Sequence, residues 1–343
     1  MSRRENRKLE KLKKARKRKK ILKCMAFIVI LASFFYVSNT PEKEVRNFIK
    51  DRISAKTENT VSNATNQIIQ NTTIETVSNV IIEDTEKNEV VEKVVEEKEN
   101  ETVRKIVEKY IDKNNLNQDN FAFFYYNPIT EESYFYNENS YFTAASTIKV
   151  PLAMIYYDKI NNGDLTLKST FTYNKEHYEE GAGTIATLYK PGEEVPLQYL
   201  LEQMIINSDN TATNILKTGL GGEKAYRILI KQYTQIHLPS EFNEDNITSA
   251  AYSLDVLKKI YNNQDDYQRL IELMKKSSGG GYLKKDITNC EIAHKYGSYE
   301  GNGHDYGICY SNNPYLIGVF TKNVPNAENL ISTINKEILS SQK

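Results

Sequence analysis

The stretch from Ser38 to Asn100 limits what this chain can fold into more than any single motif does. It is dominated by Asn, Thr, Ser, Glu, Lys and Val, contains no Gly, and has Pro41 as its one proline. Segments such as "TENTVSNATNQIIQNTTIETVSNV" hold too few large apolar groups to offset the entropy of ordering them. Residues 38–102 therefore read as a disordered linker, averaging roughly 45 Å end to end as a flexible coil. A core has to be built on one side of it or the other.

On the N-terminal side there is no room for one. Residues 1–23 carry 13 Lys/Arg against Glu5 and Glu10, a block of +11, so the rest of this formally neutral chain sums to −11. A basic arm of this kind suits nucleic acid or an anionic membrane surface. The uncharged run Cys24–Val37, "CMAFIVILASFFYV", follows at once and selects the membrane. At the helical rise it spans roughly 21 Å, and Ile21, Leu22 and a snorkelling Lys23 extend this to about 25 Å, workable with local bilayer thinning. The exit "FFYVSNTPEK" lacks small residues at both positions a signal peptidase reads, which favours an uncleaved anchor over a long signal peptide. The expected order is a cytoplasmic arm at 1–20, a transmembrane signal-anchor at 21–37, and the remainder outside, in a single pass. Nucleic acid is not an expected partner.

The C-terminal part, 103–343, is long enough for a sizeable core. Val103, Ile106, Val107, Tyr110 and Ile111 recur at helical spacing. "FAFFYYN" and "ESYFYNEN" flank "PITEE" as a hairpin would. Helical patterns follow in "STIKVPLAMIYYDKINNG", "PLQYLLEQMII", "NTATNILKTG", "EKAYRILIKQYTQ" and "SLDVLKKIYNN". Strands return in "CEIAHKYGSY", "DYGICYS" and "YLIGVFTKN", before a last helix at "NAENLISTINKEIL". Strands at both ends around a helical middle give an α+β class: an antiparallel sheet formed by both ends of the domain, flanked by helices, with an inserted all-helical subdomain.

Three short motifs carry chemistry. In "AASTIKVPL", Ser146 and Lys149 stand three apart, one helical turn, on one face. A desolvated lysine beside another cation loses its proton and becomes a base for a hydroxyl nucleophile. The competing reading of Ser146 is a helix N-cap, and the same spacing at Ser340 and Lys343 in the tail shows how little the pair means alone. In "INSDNTATN", Ser208 suits proton relay and Asn210 a substrate amide, while Asp209 or Asn210 equally suits a helix cap. In "HKYGS", Lys295 on a strand suits recognition of a carboxylate and keeps Lys149 neutral, with Gly297 admitting a substrate backbone; the plain alternative is an edge strand with a solvated lysine. The literal "KTG" at Lys217-Thr218-Gly219 ends a helix, where Gly219 reads as a C′ glycine, and it is rejected on that context. No CxxC or Cys/His cluster is present, so neither a metal nor a cofactor is expected, and Cys290 and Cys309 read as free thiols.

Taken together, SxxK, SDN and KYG in this order resemble class A β-lactamases and penicillin-binding proteins. "GAGTI", "LGG" and "AHKYGSYEGNGHDYGI" extend the resemblance over roughly residues 104–343. It implies a β-lactamase/transpeptidase-like fold in which Ser146 is acylated, Lys149 is its general base, and Ser208 passes the proton to the leaving nitrogen. Asn210 would orient the substrate amide, and Lys295 would face its carboxylate. The backbone N–H groups of Ser146 and Ser298 would form an oxyanion hole. The substrates so implied are β-lactams, peptidoglycan stem peptides, or both.

Two departures bear on turnover. The family's deacylating glutamate lies in E-x-x-L-N, absent from "YTQIHLPSEFNEDNITSA", where Glu241 and Glu244 are the candidates besides Asp245. Tyr296 replaces the small hydroxyl residue of the third motif. Both weaken hydrolysis of an acyl-enzyme more than its formation, which favours a D,D-peptidase or a slow β-lactamase. The alternative is a sensor or inert binder that stays acylated. His294 and His304, near the site in sequence, read as packing or hydrogen-bonding residues.

Overall fold

The run FAFFYY at Phe121–Tyr126 (β1) is apolar without alternation, and such a strand has to be covered on both faces. In the computed structural model, which describes residues 98–278 and 281–342, it is. β1 pairs with β2 (Ser133–Tyr136) on one side and with the late strand β9 (Tyr315–Lys322) on the other, all antiparallel. β8 (Asn302–Tyr310) and β7 (Glu291–Tyr299) complete a five-stranded sheet of order β2-β1-β9-β8-β7. The sheet is thus closed by both ends of the domain. The basic arm, the apolar run and nearly all of the linker read from the sequence lie outside the described residues.

One face is covered by the first and last helices. α1, Glu101–Asn114, is capped by Asn100, whose side chain accepts from Val103 N, and buries Val103, Ile106, Val107 and Tyr110. α9, Ala327–Ser341, adds Leu330, Ile331, Ile334 and Ile338 to the same cluster. The other face receives the inserted helices: α2 (Lys149–Asn162), α3 (Ile185–Leu188), α4 (Leu197–Ile206), α5 (Asn210–Gly219), α6 (Glu223–Ile230), α7 (Ala250–Asn262) and α8 (Gln264–Lys275). Two small ladders stiffen this insert. β3 (Tyr141–Thr143) pairs with β6 (Ile247–Ser249), and β4 (Thr170–Thr172) pairs with β5 (Glu194–Pro196).

The α8 helix has no counterpart in the sequence reading. Asn263 closes α7 and opens α8, so two helices share a junction that reads as one helix end. Gly219 is also not a C′ glycine. It is the last helical residue, and a Cβ there would lie 2.5 Å from the Phe171 ring, so the position is small for packing. The left-handed residue is Gly221, at φ +98°, with its N–H on Thr218 O. Among the described residues no helix is long and apolar enough to cross a membrane.

Candidate active site

Ser146 is not a cap. β3 delivers the chain into a single 3-10 turn, Ala145–Ile148, and neither its cap residue Ala144 nor the α2 cap residue Ile148 makes a side-chain cap bond. Ala145 is held at φ +47°, which costs about 1–3 kcal/mol for a residue with a Cβ. The surroundings hold it there: Ala144 N donates to Asn246 O (2.7 Å), Asn246 Nδ2 to Ala145 O (3.3 Å), and Tyr306 OH to Thr147 O (3.0 Å). The turn's own ladder starts with Thr147 N on Ala144 O, so the Ser146 N–H lies ahead of it. Strand β7 is pressed against this point. A Cβ on Gly297 would sit 2.8 Å from Ser146 N and 3.0 Å from Ala144 O, which makes glycine a requirement of the approach.

The opposite wall is the start of α5. Asp209 is its N-cap, with Oδ1 accepting from Ala212 N (2.8 Å) while Oδ2 accepts from Thr184 N (2.6 Å) and Ile185 N (2.9 Å). One carboxylate therefore caps the helix and holds the "GAGTI" loop against it. Gly183, at φ +125°, admits that contact, since a Cβ there would fall 2.1 Å from the carboxyl carbon. Ser208 is turned to φ +58°, which carries its hydroxyl inward.

Into the space between the walls come two amines. Lys149 Nζ donates to Ser208 O (2.7 Å) and Asn210 Oδ1 (2.7 Å) and reaches Ser208 Oγ at 3.3 Å. Lys295 Nζ reaches the same Oγ at 3.2 Å and donates to Tyr296 O at 3.0 Å. Both lysines are nearly or fully buried, at 4% and 0% exposure. Burial, only partly offset by Glu179 and Asp209, pushes Lys149 down to about 7. Lys295 is lowered by its burial and then by Lys149, with Asp305 acting the other way. Two ammonium groups sharing one hydroxyl repel strongly in this setting, so one of the pair gives up its proton. A neutral Lys149 has two N–H donors, enough for its two carbonyl acceptors, and one lone pair left for a hydroxyl proton.

Ser146, Lys149, Ser208, Asn210, Lys295 and Gly297 are thus brought to one place. Tyr296 stacks its ring on Tyr282 at 5.3 Å and lies 4.3 Å from the Lys295 ammonium; Ser298 is exposed at the mouth. Glu241 and Glu244 are both exposed on the 240–246 loop, and the Glu241 carboxylate takes a hydrogen bond from Ser240. The decoy Lys217 pairs with Glu223 at 2.8 Å. His304 is a packing residue, accepting from Thr321 N through Nδ1, with Nε2 2.8 Å from Thr143 O, and burial pushes it down to about 4. His294 pairs with Asp305 at 2.7 Å behind β7. Asn246 and Tyr282 were not singled out in the sequence. They sit in stretches without motif or periodicity, and only pairing of β6 with β3 and stacking on Tyr296 bring them in.

Comparison with known proteins bears on the family and the fold. The model of a family described as the beta-lactamase enzyme family matches residues 100–342. The extended-spectrum beta-lactamase PER-1 of Pseudomonas aeruginosa is 24% identical over 208 residues, 53% of this chain and 68% of the relative. Among solved structures, a PBP-A variant in acyl-enzyme complex with penicillin G superposes with a TM-score of 0.62 at 23% identity, covering 72% of this chain and 98% of that one. A beta-lactamase from Sphaerobacter thermophilus gives a TM-score of 0.60 at 21% identity, over 70% and 96%. At these identities the structural likenesses speak for the fold.

Proposed function

The chain belongs to the beta-lactamase enzyme family, and on that premise we propose that it is a serine hydrolase acylated at Ser146 by β-lactams or by D-Ala-D-Ala-type stem peptides, with slow release of the acyl group. Lys149 carries this reading: a buried amine with both N–H groups of its neutral form committed to Ser208 O and Asn210 Oδ1. Its lone pair takes the Ser146 proton as Oγ attacks the carbonyl carbon. The carbonyl oxygen becomes an oxyanion, facing the N–H groups of Ser146 and Ser298. Donors of this kind contribute about 3 kcal/mol each in acyl transfer. The C–N bond then breaks, and Ser208, within reach of both amines, hands its proton to the departing nitrogen and takes in return the one Lys149 accepted from Ser146. Lys295 offers a positive charge to the substrate carboxylate, and Asn210 orients its amide. Water must complete the cycle, and neither Glu241 nor Glu244 is buried against the amines to activate it, which supports slow deacylation.

The same proposal places the domain outside the cell, tethered by the apolar run Cys24–Val37 with the basic arm inside; the supporting observations are the sequence of charges and the uncharged run itself.

Intact-protein mass spectrometry after mixing with benzylpenicillin tests the reading. The expected result is one adduct per chain, lost in Ser146→Ala, decaying slowly to free enzyme. A wild-type chain that gains no mass at any penicillin concentration overturns it. An adduct that never decays identifies instead a binder that acylates once and stays acylated.

A further inference from the structure

The face of β7 turned away from the site carries a buried pair that the mechanism above does not use. His294 Nδ1 lies 2.7 Å from Asp305 Oδ2, and neither side chain is exposed. The same carboxylate oxygen accepts from Leu283 N at 2.9 Å. Among the described residues Asp305 Oδ1 and His294 Nε2 have no partner. That asymmetry fixes the protonation. An imidazolium would bury a second N–H with no acceptor, whereas a neutral ring donating from Nδ1 leaves only an acceptor lone pair unused. The pair therefore carries one negative charge in the interior, with His294 next to Lys295 on β7 and Asp305 on the adjacent strand β8.

Asp305 lies opposite Tyr296 in the β7–β8 register, and Tyr306 opposite Lys295. The segment it grips runs on to the site: Tyr282, next to Leu283, stacks on Tyr296. A buried anion with one oxygen unsatisfied is costly to keep for stability alone. We propose that Asp305, held as an anion by His294 and Leu283 N, is a positioning residue that keeps the positive charge of the site on Lys295 and so leaves Lys149 neutral as the base.

The groups that bear on this division are few. Lys149 faces Asp209 from the α5 cap, Glu179 from the loop after His177, and Lys217 from the end of α5. Lys295 shares the Ser208 hydroxyl with Lys149, and Asp305 lies on the neighbouring strand β8, opposite Tyr296, the residue next to Lys295. Asp305 is felt by Lys295, and also by the Tyr282 and Tyr306 hydroxyls. Asp305 is thus the anion assigned to Lys295, while Asp209 and Glu179 act on Lys149. Removing the Asp305 charge lets Lys295 lose its proton more easily. With less repulsion, Lys149 then holds its own proton to higher pH.

This inference rests on the acyl-enzyme reading, so the test separates the two. Acylation rates of the wild type, Asp305→Asn and His294→Asn by benzylpenicillin and by its methyl ester are followed across pH, with Ser146→Ala as control. Failure of the wild type to acylate sinks the parent reading and leaves the positioning role without a reaction. Given wild-type acylation, Asp305→Asn should move the ascending limb up by about one pH unit, the order expected for losing one buried charge interaction. Its preference for the free carboxylate over the ester should fall about tenfold. His294→Asn should shift the limb the same way by less, and it provides the test where Asp305→Asn does not fold. A lower rate at unchanged pH profile and unchanged ester discrimination means a merely structural pair and overturns the proposal.

Discussion

The amine cluster and the 240–246 loop, whose Asn246 bonds Ala144 and Ala145 beside Ser146, are built on opposite principles. Lys149 and Lys295 are buried, each with at least two hydrogen-bonded neighbours, and the backbone strain at Ala145 and Ser208 is held in place by packed elements. Glu241 and Glu244 stand in solvent on a short connection, and the Glu241 carboxylate takes a hydrogen bond from its neighbour Ser240. The groups proposed to form an acyl-enzyme are thus preorganised, whereas the loop that would hold a hydrolytic carboxylate presents none to the interior. Preorganisation is where most catalytic advantage resides, so the contrast amounts to a prediction about relative rates.

Ser146→Ala gives the largest effect, complete loss of the penicillin adduct by mass spectrometry, because no other side chain takes its place. Lys149→Met keeps the volume and removes the base; its acylation rate should fall by about a thousandfold, within the range for general-base loss. In the wild type the same base sets a pH dependence. Lys149 is charged and inactive below about 7 and neutral above it, so the acylation rate should rise through that value and level off. A flat profile from pH 5 to 9 would remove Lys149 from the role.

Gly297→Ala should cut acylation by roughly a hundredfold without unfolding the chain, since the added methyl is driven into Ser146 N and moves an oxyanion donor. Asp209→Asn retains the cap but disturbs the loop amides of Thr184 and Ile185. Its cost should appear as about 1–2 kcal/mol in denaturant unfolding. Smallest of all, Glu241→Gln and Glu244→Gln, singly and together, should leave both acylation and deacylation within about twofold of wild type, as substitutions of exposed groups usually do. A double variant with tenfold slower deacylation would erase the contrast from which these predictions start.

Much of this was legible in the sequence because it is local. The alternation around "PITEE", the apolar stripe of α1 and the spacing of Ser146 from Lys149 each depend on residues a few places apart. Gly183 was readable only as part of a motif string, and its purpose, admitting the Asp209 carboxylate, becomes visible when residues 26 positions apart are in contact. The second helix after α7 was missed for the converse reason: Asn263 looks like an end, and only packing of Tyr267, Leu270 and Met274 makes it a new beginning.

The sequence alone pointed to the β-lactamase enzyme family, and it singled out the serine, both lysines and the amide that the fold brings together. It left Ser146 divided between cap and nucleophile, because a hydroxyl before a helix suits either. Tertiary structure removed the cap reading by starting α2 three residues later, and it presses Gly297 against the Ser146 amide. It decided also that the two lysines share one hydroxyl, 3.3 and 3.2 Å away. Spacing along a chain can bring Ser146 beside Lys149. Only burial, and a second charge arriving from a strand 146 residues later, deprives an amine of its proton.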